Sequence, residues 1–549
     1  MNSQKVRPSQ SYQQAESRFA ELFNAIETKH LSPDEAILKI NEIDIEFMNK
    51  PSVPTDQQNL QLISKGEAIT TGAASGRVYF NLKEAKEALR RGENVILFRE
   101  KLTNDDLAIF SQIAGVVSSK EDPSTHAAIV IKVLDKPFVT HLTVTSLDDD
   151  GADFNGIALK NGDEVTIDSF NACFYKGGTS LIQPVSTPAY KALMEKITQR
   201  CPLDLHGNSD TPEEAVIALH YGATGVEPRT EHMFFQPEKL ALFRKVIFGR
   251  SGRHIEQSLE ELVQLQAEDF YQLFKVVNGL PLVVRLLDPP LHEFVPTDEA
   301  TLDELASGIG IARAELDAQL RHLHETNPMM GKRGARLLIT RPDITKAQAT
   351  AMFRAMKRAQ SEALSVNLKI NIPMVSEVQE ILFIKKIIQE ACDAESKQQK
   401  PHYQVGIMIE TPRAALLAAE IAPHVDFISY GTNDLTAQTF AFSRGDVYEK
   451  FLNTYFDLGI LKADPFITLD EAVKKLITLS VQDLKKHNPK VHVGLCGEQG
   501  SNAESAVFLY ETGLDSISCN PAAIPRIKLA LAKKYIQNQR TPKAQRKAA

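Results

Sequence analysis

Residues 405–446, VGIMIETPRAALLAAEIAPHVDFISYGTNDLTAQTFAFSRGD, carry the alternation that decides the fold. Val405 to Ile409 is a short apolar run that ends on a carboxylate, Glu410. Thr411-Pro412 stops it, and proline suits the first position of a helix because the N–H it lacks would have no partner there. Val425 to Tyr430 is a second apolar run, ending in Gly431-Thr432-Asn433-Asp434 ahead of a helical pattern. Two parallel strands that each deliver a carboxylate at the C-terminal end are how an α/β barrel builds a divalent-metal site. Taken singly, each loop also admits a plainer account, in which Asn433 or Asp434 caps a helix and Glu410 is a solvated acid.

The same rhythm extends outward in both directions. Strand candidates with apolar cores recur at Leu203–Asn208, Gly225–Arg229, Leu282–Leu287, Ala335–Ile339, Ile370–Val375, Val405–Glu410, Val425–Gly431 and Val491–Glu498, each followed by a helical stretch. Eight such units are what a (β/α)8 TIM barrel requires. The helical region between Pro237 and Asn327 reads as an insertion after the second and third strands. Arg229, Arg285, Glu410, Asn433, Asp434 and Cys496 all fall at strand C-termini and so would converge on one mouth. Arginine pairs bind phosphate or carboxylate in a fork geometry, and paired acids suit Mg2+, a hard cation that takes oxygen ligands. A surface ion pair is the alternative for either arginine alone, and a small buried hydrophobe for the cysteine.

Ahead of the barrel region, Ala15 to Met48 reads as two amphipathic helices. Ser32-Pro33-Asp34-Glu35 marks the second start, with serine as cap and acids in the first turn. Residues 1–12 carry no pattern, and 1–59 as a whole reads as a helical segment with a linker. Residues 60–178 hold glycine turns and short strands at Gly76–Phe80, Asn94–Phe98, Gly115–Val117 and Asp163–Asp168, with helical patterns at Leu82–Arg91 and Asp105–Gln112. A small swivelling α/β domain fits them. Within it, Pro123-Ser124-Thr125-His126 opens an apolar helix. The free N–H groups of a helix N-terminus favour an anion, and a histidine there can carry a phosphoryl group. A capped helix with a partly buried histidine is the alternative. Residues 179–200 read as a connector, 201–539 as the barrel, and 540–549 as a frayed basic tail.

Composition narrows the function classes. The chain has 549 residues, 43% hydrophobic and 24% charged, which suits a soluble protein of two or more domains. A net charge of −8 argues against nucleic acid as a partner. Five cysteines with no zinc-ligand spacing favour a reducing, cytoplasmic setting. No apolar run reaches transmembrane length, so no membrane partner is expected.

The stretches RTEHMFF from Arg229, RLLDPPLHEF from Arg285, GKRGARL from Gly331, IETPRAAL from Ile409, SYGTNDLTAQTFAFSRGD from Ser429, DPF from Asp464 and GLCGEQG from Gly494 resemble the phosphoenolpyruvate-utilising enzymes, most nearly the pyruvate phosphate dikinase type. STHAAIV from Ser124 matches their phosphohistidine signature. The resemblance implies that Arg229 and Arg285 bind the phosphoryl group and that Glu410 and Asp434 ligate Mg2+. It implies further that Asn433, with backbone of Gly431 and Thr432, holds the substrate carboxylate. Cys496 would protonate the enolate to release pyruvate, and His126 would accept the phosphoryl group after the mobile domain swings on the 179–200 connector. A thiol, with a reference pKa of about 8.5, suits such proton transfer. A homodimer through the barrel is implied too. Two departures stand out. About 60 residues precede the mobile domain, with no P-loop or other nucleotide loop, so a separate nucleotide-binding subunit or phosphoacceptor protein is expected. Glu121-Asp122-Pro123 replaces the family's glycine turn, and Lys132 its arginine, which would set negative charge beside His126. The two functions expected are phosphoryl transfer between phosphoenolpyruvate and a histidine, and a regulatory protein that binds phosphoenolpyruvate or pyruvate without transfer. A single-barrel lyase or mutase would not carry the histidine domain.

Overall fold

Eight parallel strands close on themselves in the computed structural model: β12 (Asp204–Asn208), β13 (Gly225–Glu227), β14 (Pro281–Arg285), β15 (Asn367–Ile372), β16 (Tyr403–Ile409), β17 (Phe427–Gly431), β18 (His492–Cys496) and β19 (Ser516–Cys519). The numbering follows the eleven strands of the preceding domain, given below. The structure describes all residues except 1–9, 55–58, 104–105, 107–108, 111, 122–125, 185, 235, 250–252, 297, 397–400, 445 and 541–549. It divides into two compact units, residues 1–201 with 445–462 and 532–549, and residues 202–444 with 463–531.

The barrel forms because each strand alternates between helix-facing and interior-facing side chains. In β17, Ile428 and Tyr430 are fully buried, and the Tyr430 hydroxyl lies 2.6 Å from Ser480 Oγ on the helix Glu471–His487. Phe427, Ser429 and Gly431 take the other parity. Register then sets the rim: Arg285 pairs with Asn371, and Gly431 with Cys496. Beyond the regular ladder, Arg229 and Arg285 form a single parallel bridge.

One expected strand is not a strand. Ala335–Thr340 is a short helix, and the eighth strand is Ser516–Cys519. A five-residue stretch with four apolar members is too short for periodicity to separate a buried strand from a buried helix turn. Here Gly334, at φ +53°, donates its N–H to the Asp288 carbonyl (2.9 Å) and so turns the chain straight into the helix. Ala335, Leu337 and Leu338 are fully buried. Ser516-Ile517-Ser518-Cys519 is short and half serine, which hid it from a search for apolar runs. The expected insertion is present as Pro237–Phe248 and Arg253–Val277 after β13, and Glu299–Ile309 and Arg313–Leu323 after β14.

In the other unit, β1 (Gln61–Lys65), β2 (Glu67–Ala68), β3 (Ala73–Tyr79), β4 (Val95–Arg99), β5 (Gly115–Ser118), β6 (Phe138–Thr140), β10 (Glu164–Asp168) and β11 (Cys173–Lys176) form one sheet, ordered β1-β11-β10-β3-β4-β5-β6-β2. β7 (Ser146–Leu147), β8 (Gly151–Phe154) and β9 (Ile157–Lys160) form a second. Val95 to Phe98 is wholly buried, as a central strand covered on both faces must be. One face packs with Ala127, Ala128 and Ile131 of the helix His126–Val133. His126 is therefore the first residue of that helix. Residues 122–125 of the proposed phosphate turn, and part of the Asp105–Gln112 pattern, lie outside the described residues. Glu121 is buried, and its Oε2 accepts the Leu102 N–H at 2.6 Å.

Three N-terminal helices replace the two expected: Gln10–Glu27, Pro33–Lys39 and Glu42–Asn49. Ser32 caps the second of them as anticipated, and its reciprocal bond with Glu35 completes a capping box. The helix Pro188–Arg200 packs on the first of them, with Tyr190 and Phe19 edge to face at 5.0 Å.

Candidate active site

The strand C-termini of the barrel surround a cleft of about 590 Å³, its open mouth included, lined by Arg229, Arg285, Glu410, Gly431, Asn433, Asp434 and Cys496 among others. Seven of the eight barrel residues anticipated from the sequence thus meet there. Thr432 is the exception. It is fully buried, and its Oγ1 lies 2.7 Å from Gln499 Oε1 and 3.4 Å from the Cys496 carbonyl. Its side chain braces the loop after β18, and only its main chain remains available to a ligand. The His126 side chain is outside the description.

Glu410 is 1% exposed and accepts the Met374 N–H on Oε2 at 2.7 Å. Asp288 and Asp434 join it, each offering an oxygen, with all three ligand atoms within 4.8 Å of one another. Burial, reinforced by Asp288 and Asp434, holds the Glu410 carboxyl well above the usual carboxylate range. Burial likewise raises Asp434, against the pull of Arg333. Three hard oxygen ligands crowded out of water fit Mg2+, whose charge would relieve their repulsion.

Two members of this cluster escaped the sequence reading. Asp288 sits three residues beyond the strand-end Arg285, and Arg333 lies in the loop before the helix Ala335–Thr340. Arg333 is 5% exposed and holds both acids: Nη2 to Asp288 Oδ2 at 2.5 Å, Nη1 to Asp434 Oδ1 at 2.9 Å. Burial opposes its charge, but Asp288 and Asp434 outweigh that and hold the guanidinium firmly protonated. Reading Ala335–Ile339 as a strand concealed this role. The available signal was Gly331-Lys332-Arg333-Gly334 itself, where two glycines let the backbone turn tightly around an arginine.

Arg285 binds Glu231 and lies 3.8 Å from Asp288. Its Nε is buried without a partner among the described residues, as is Asn371 Oδ1. Arg229 is held by Asp210 through its N–H (2.8 Å) and Nη2 (2.7 Å). A buried unpartnered guanidinium N–H at a cleft is the expected counterpart of an anionic ligand. Asn433 Oδ1 accepts the Glu498 N–H at 3.1 Å, fixing the amide.

Cys496 lies 3.5 Å from the Ser429 hydroxyl. Burial, then the Glu227 carboxylate, pushes its thiol well above the ordinary value. It is therefore not close to neutral, as its reference pKa suggested, but remains a thiol, the form that donates a proton.

Gly431 is required by close packing. A Cβ there would lie 2.5 Å from Glu410 Cγ and Oε1. Gly431→Ala is expected to displace the carboxylate, weaken Mg2+ binding about tenfold or more in calorimetric titration, and destabilise the fold by about 1–3 kcal/mol.

A closed parallel barrel with carboxylates, arginines and a thiol at its rim, in one chain with a sheet domain that carries a histidine at a helix start, defines a class. The PEP-binding domain of the PEP-utilising enzymes matches residues 187–536, and their mobile domain matches residues 91–171. The chain belongs to the PEP-utilising enzyme family. Within it, the chain is similar to pyruvate, phosphate dikinase of Clostridium symbiosum, 34% identical over 517 residues, covering 93% of this chain and 59% of that one. The Rhizobium meliloti (strain 1021) dikinase is 33% identical over 94% of this chain and 58% of its own length. The chloroplastic pyruvate, phosphate dikinase 1 of Arabidopsis thaliana is 36% identical over 86% and 50%. The chain thus spans less than two thirds of the length of these relatives. No helix among the described residues is long and apolar enough to cross a membrane.

Proposed function

We propose that the protein catalyses Mg2+-dependent phosphoryl transfer between phosphoenolpyruvate and His126, with pyruvate as the product. The observation that carries this reading is the convergence of Asp288, Glu410 and Asp434 with Arg285, Arg333 and Cys496 at one barrel rim. Mg2+, when bound by the three carboxylates, would supply positive charge opposite the developing negative oxygens. Arg229 and Arg285 would grip the phosphoryl oxygens, so that catalysis is mainly positioning and electrostatics. The Asn433 amide and the N–H groups of Gly431 and Thr432, at the start of the helix Thr432–Phe440, would hold the substrate carboxylate. The P–O bond to the enol oxygen breaks as an N–P bond forms on the imidazole. The enolate then takes the Cys496 S–H proton at C3 and becomes pyruvate.

A separate nucleotide-binding subunit or phosphoacceptor protein is the proposed partner that accepts the group from His126. A homodimer is supported by apolar side chains exposed on the outer barrel helices: Leu382 (42%), Phe383 (46%), Leu416 (64%) and Leu479 (60%). Five free thiols fit a reducing, cytoplasmic setting.

Incubation with Mg2+ and phosphate-labelled phosphoenolpyruvate tests the reading. Acid-labile, base-stable label on the protein, lost in His126→Ala, with one pyruvate released per label, is the expected result. Ligand binding without label or pyruvate would overturn transfer and leave a regulatory binding protein.

A further inference from the structure

Interiors of (β/α)8 barrels are usually filled by bulky branched side chains. This barrel instead carries a histidine–carboxylate pair, the histidine buried and the carboxylate half-buried at the cleft, that the proposed roles leave unused. His206 on β12 is 3% exposed, and its Nδ1 lies 2.9 Å from Glu227 Oε1 on the neighbouring strand β13. The ring lies against Gly225, where a Cβ would come within 2.7 Å of His206 Cδ2, so only glycine leaves room for it. Glu227 in turn lines the same cleft as Cys496. Withdrawing ionisable groups from water is costly unless they are paired.

Further ionisable groups surround the pair. Lys369 on β15 interacts with Glu227 and Asp204. His492 on β18 interacts with Lys369, Asp515, His206 and Asp204, and its Nε2 lies 3.0 Å from Ser516 Oγ. At the rim, Arg285 and Glu410 join Glu227 in acting on Cys496. The interior is thus polar from the strand N-terminal end up to the thiol. A thiol that gives its proton to an enolate under a ligand-filled mouth needs a proton source that does not pass through that mouth.

The geometry points to Glu227, backed by His206, as the positioning residue that returns a proton to the Cys496 sulfur. The inference rests on Cys496 being the acid of the proposed reaction. Its balance is simple. The S–H bond breaks as C3–H forms, leaving a thiolate. The proton shared between His206 Nδ1 and the Glu227 carboxylate passes to sulfur and restores S–H. The imidazole then takes one proton from water, so the net result is one solvent proton on the methyl group. The reverse sequence exchanges the methyl hydrogens of pyruvate with solvent.

Methyl exchange of pyruvate in D2O, followed by proton NMR with the full chain and Mg2+, tests this. Wild-type protein should exchange and Cys496→Ala should not. Glu227→Gln, nearly isosteric and able to keep a hydrogen bond to His206, should cut the maximal exchange rate about tenfold or more. Its half-saturating pyruvate concentration should stay within about twofold, because the loss lies in proton return and not in uniform binding. Glu227→Asp, which keeps the carboxylate, should recover part of the rate and serves if the glutamine variant folds poorly. Wild-type exchange retained in full by Glu227→Gln overturns the relay alone. No exchange by the wild-type protein above Cys496→Ala overturns the role of Cys496, and the relay with it.

Discussion

Glu410→Gln is expected to abolish Mg2+-dependent pyruvate release from phosphoenolpyruvate, a loss greater than about 100-fold. Glutamine keeps the shape and one acceptor oxygen, so the Met374 N–H bond can survive, but a neutral amide is a poor ligand for a hard dication. The stability consequences run the other way. The Glu410 pKa is raised in the folded protein by burial and then by Asp288 and Asp434. A carboxyl raised on folding contributes its full stability below its unfolded value of about 4.3, and that contribution is lost as pH rises through the folded value. In EDTA, wild-type protein should therefore lose stability as pH climbs from about 4 toward neutrality, and Glu410→Gln should lose less. Saturating Mg2+ reverses the ranking. At 100 times the dissociation constant it should stabilise the wild type by about 2.7 kcal/mol and the variant by almost nothing. Urea unfolding at two pH values, with and without Mg2+, reads all four quantities. Equal stabilisation of both proteins by Mg2+ would remove Glu410 from the ligand set.

Arg333→Met should be the most damaging change to the fold itself. The guanidinium joins Asp288 to Asp434 inside the protein, at 2.5 and 2.9 Å. Removing one partner of a buried ion pair costs about 3–5 kcal/mol, because the remaining charges are left uncompensated. Methionine restores most of the apolar stem volume, so the loss should be electrostatic and should deepen as pH rises through the raised Asp434 value. Mg2+ should recover part of it by neutralising the same carboxylates. A urea midpoint that is unchanged in EDTA at neutral pH would contradict this account. Activity should fall as well, since the acids would no longer be held at the rim in a fixed arrangement.

Both predictions concern a cluster of which the sequence exposed only a part. Glu410 and Asp434 were legible because each follows an apolar run and precedes a helix signal. Arg285 and Cys496 were legible for the same reason, as strand ends. Asp288 was visible in the chain but carried no periodic cue, since it falls in the proline-rich turn after β14. Arg333 was hidden by a misassigned element: the mostly apolar five residues after Gly334 fit a strand as well as a helix turn. The last strand, Ser516–Cys519, was missed because two of its four residues are serines that belong to a polar barrel interior. Glu227 and His206 fall inside two strand candidates without a further cue, since nothing local links positions 21 residues apart until β12 and β13 pair.

What the amino-acid order determined by itself is the alternation of short apolar runs, helix starts and polar strand ends. Those are consequences of backbone periodicity and capping, which act over a few residues at a time. Barrel closure, the count of strands and the direction of the Thr432 side chain were decided only in three dimensions. So were the company of three carboxylates around one arginine and the pairing of a histidine with a glutamate in the interior. They depend on distances between residues far apart in the chain, and on the loss of water that turns ordinary side chains into strongly interacting charges.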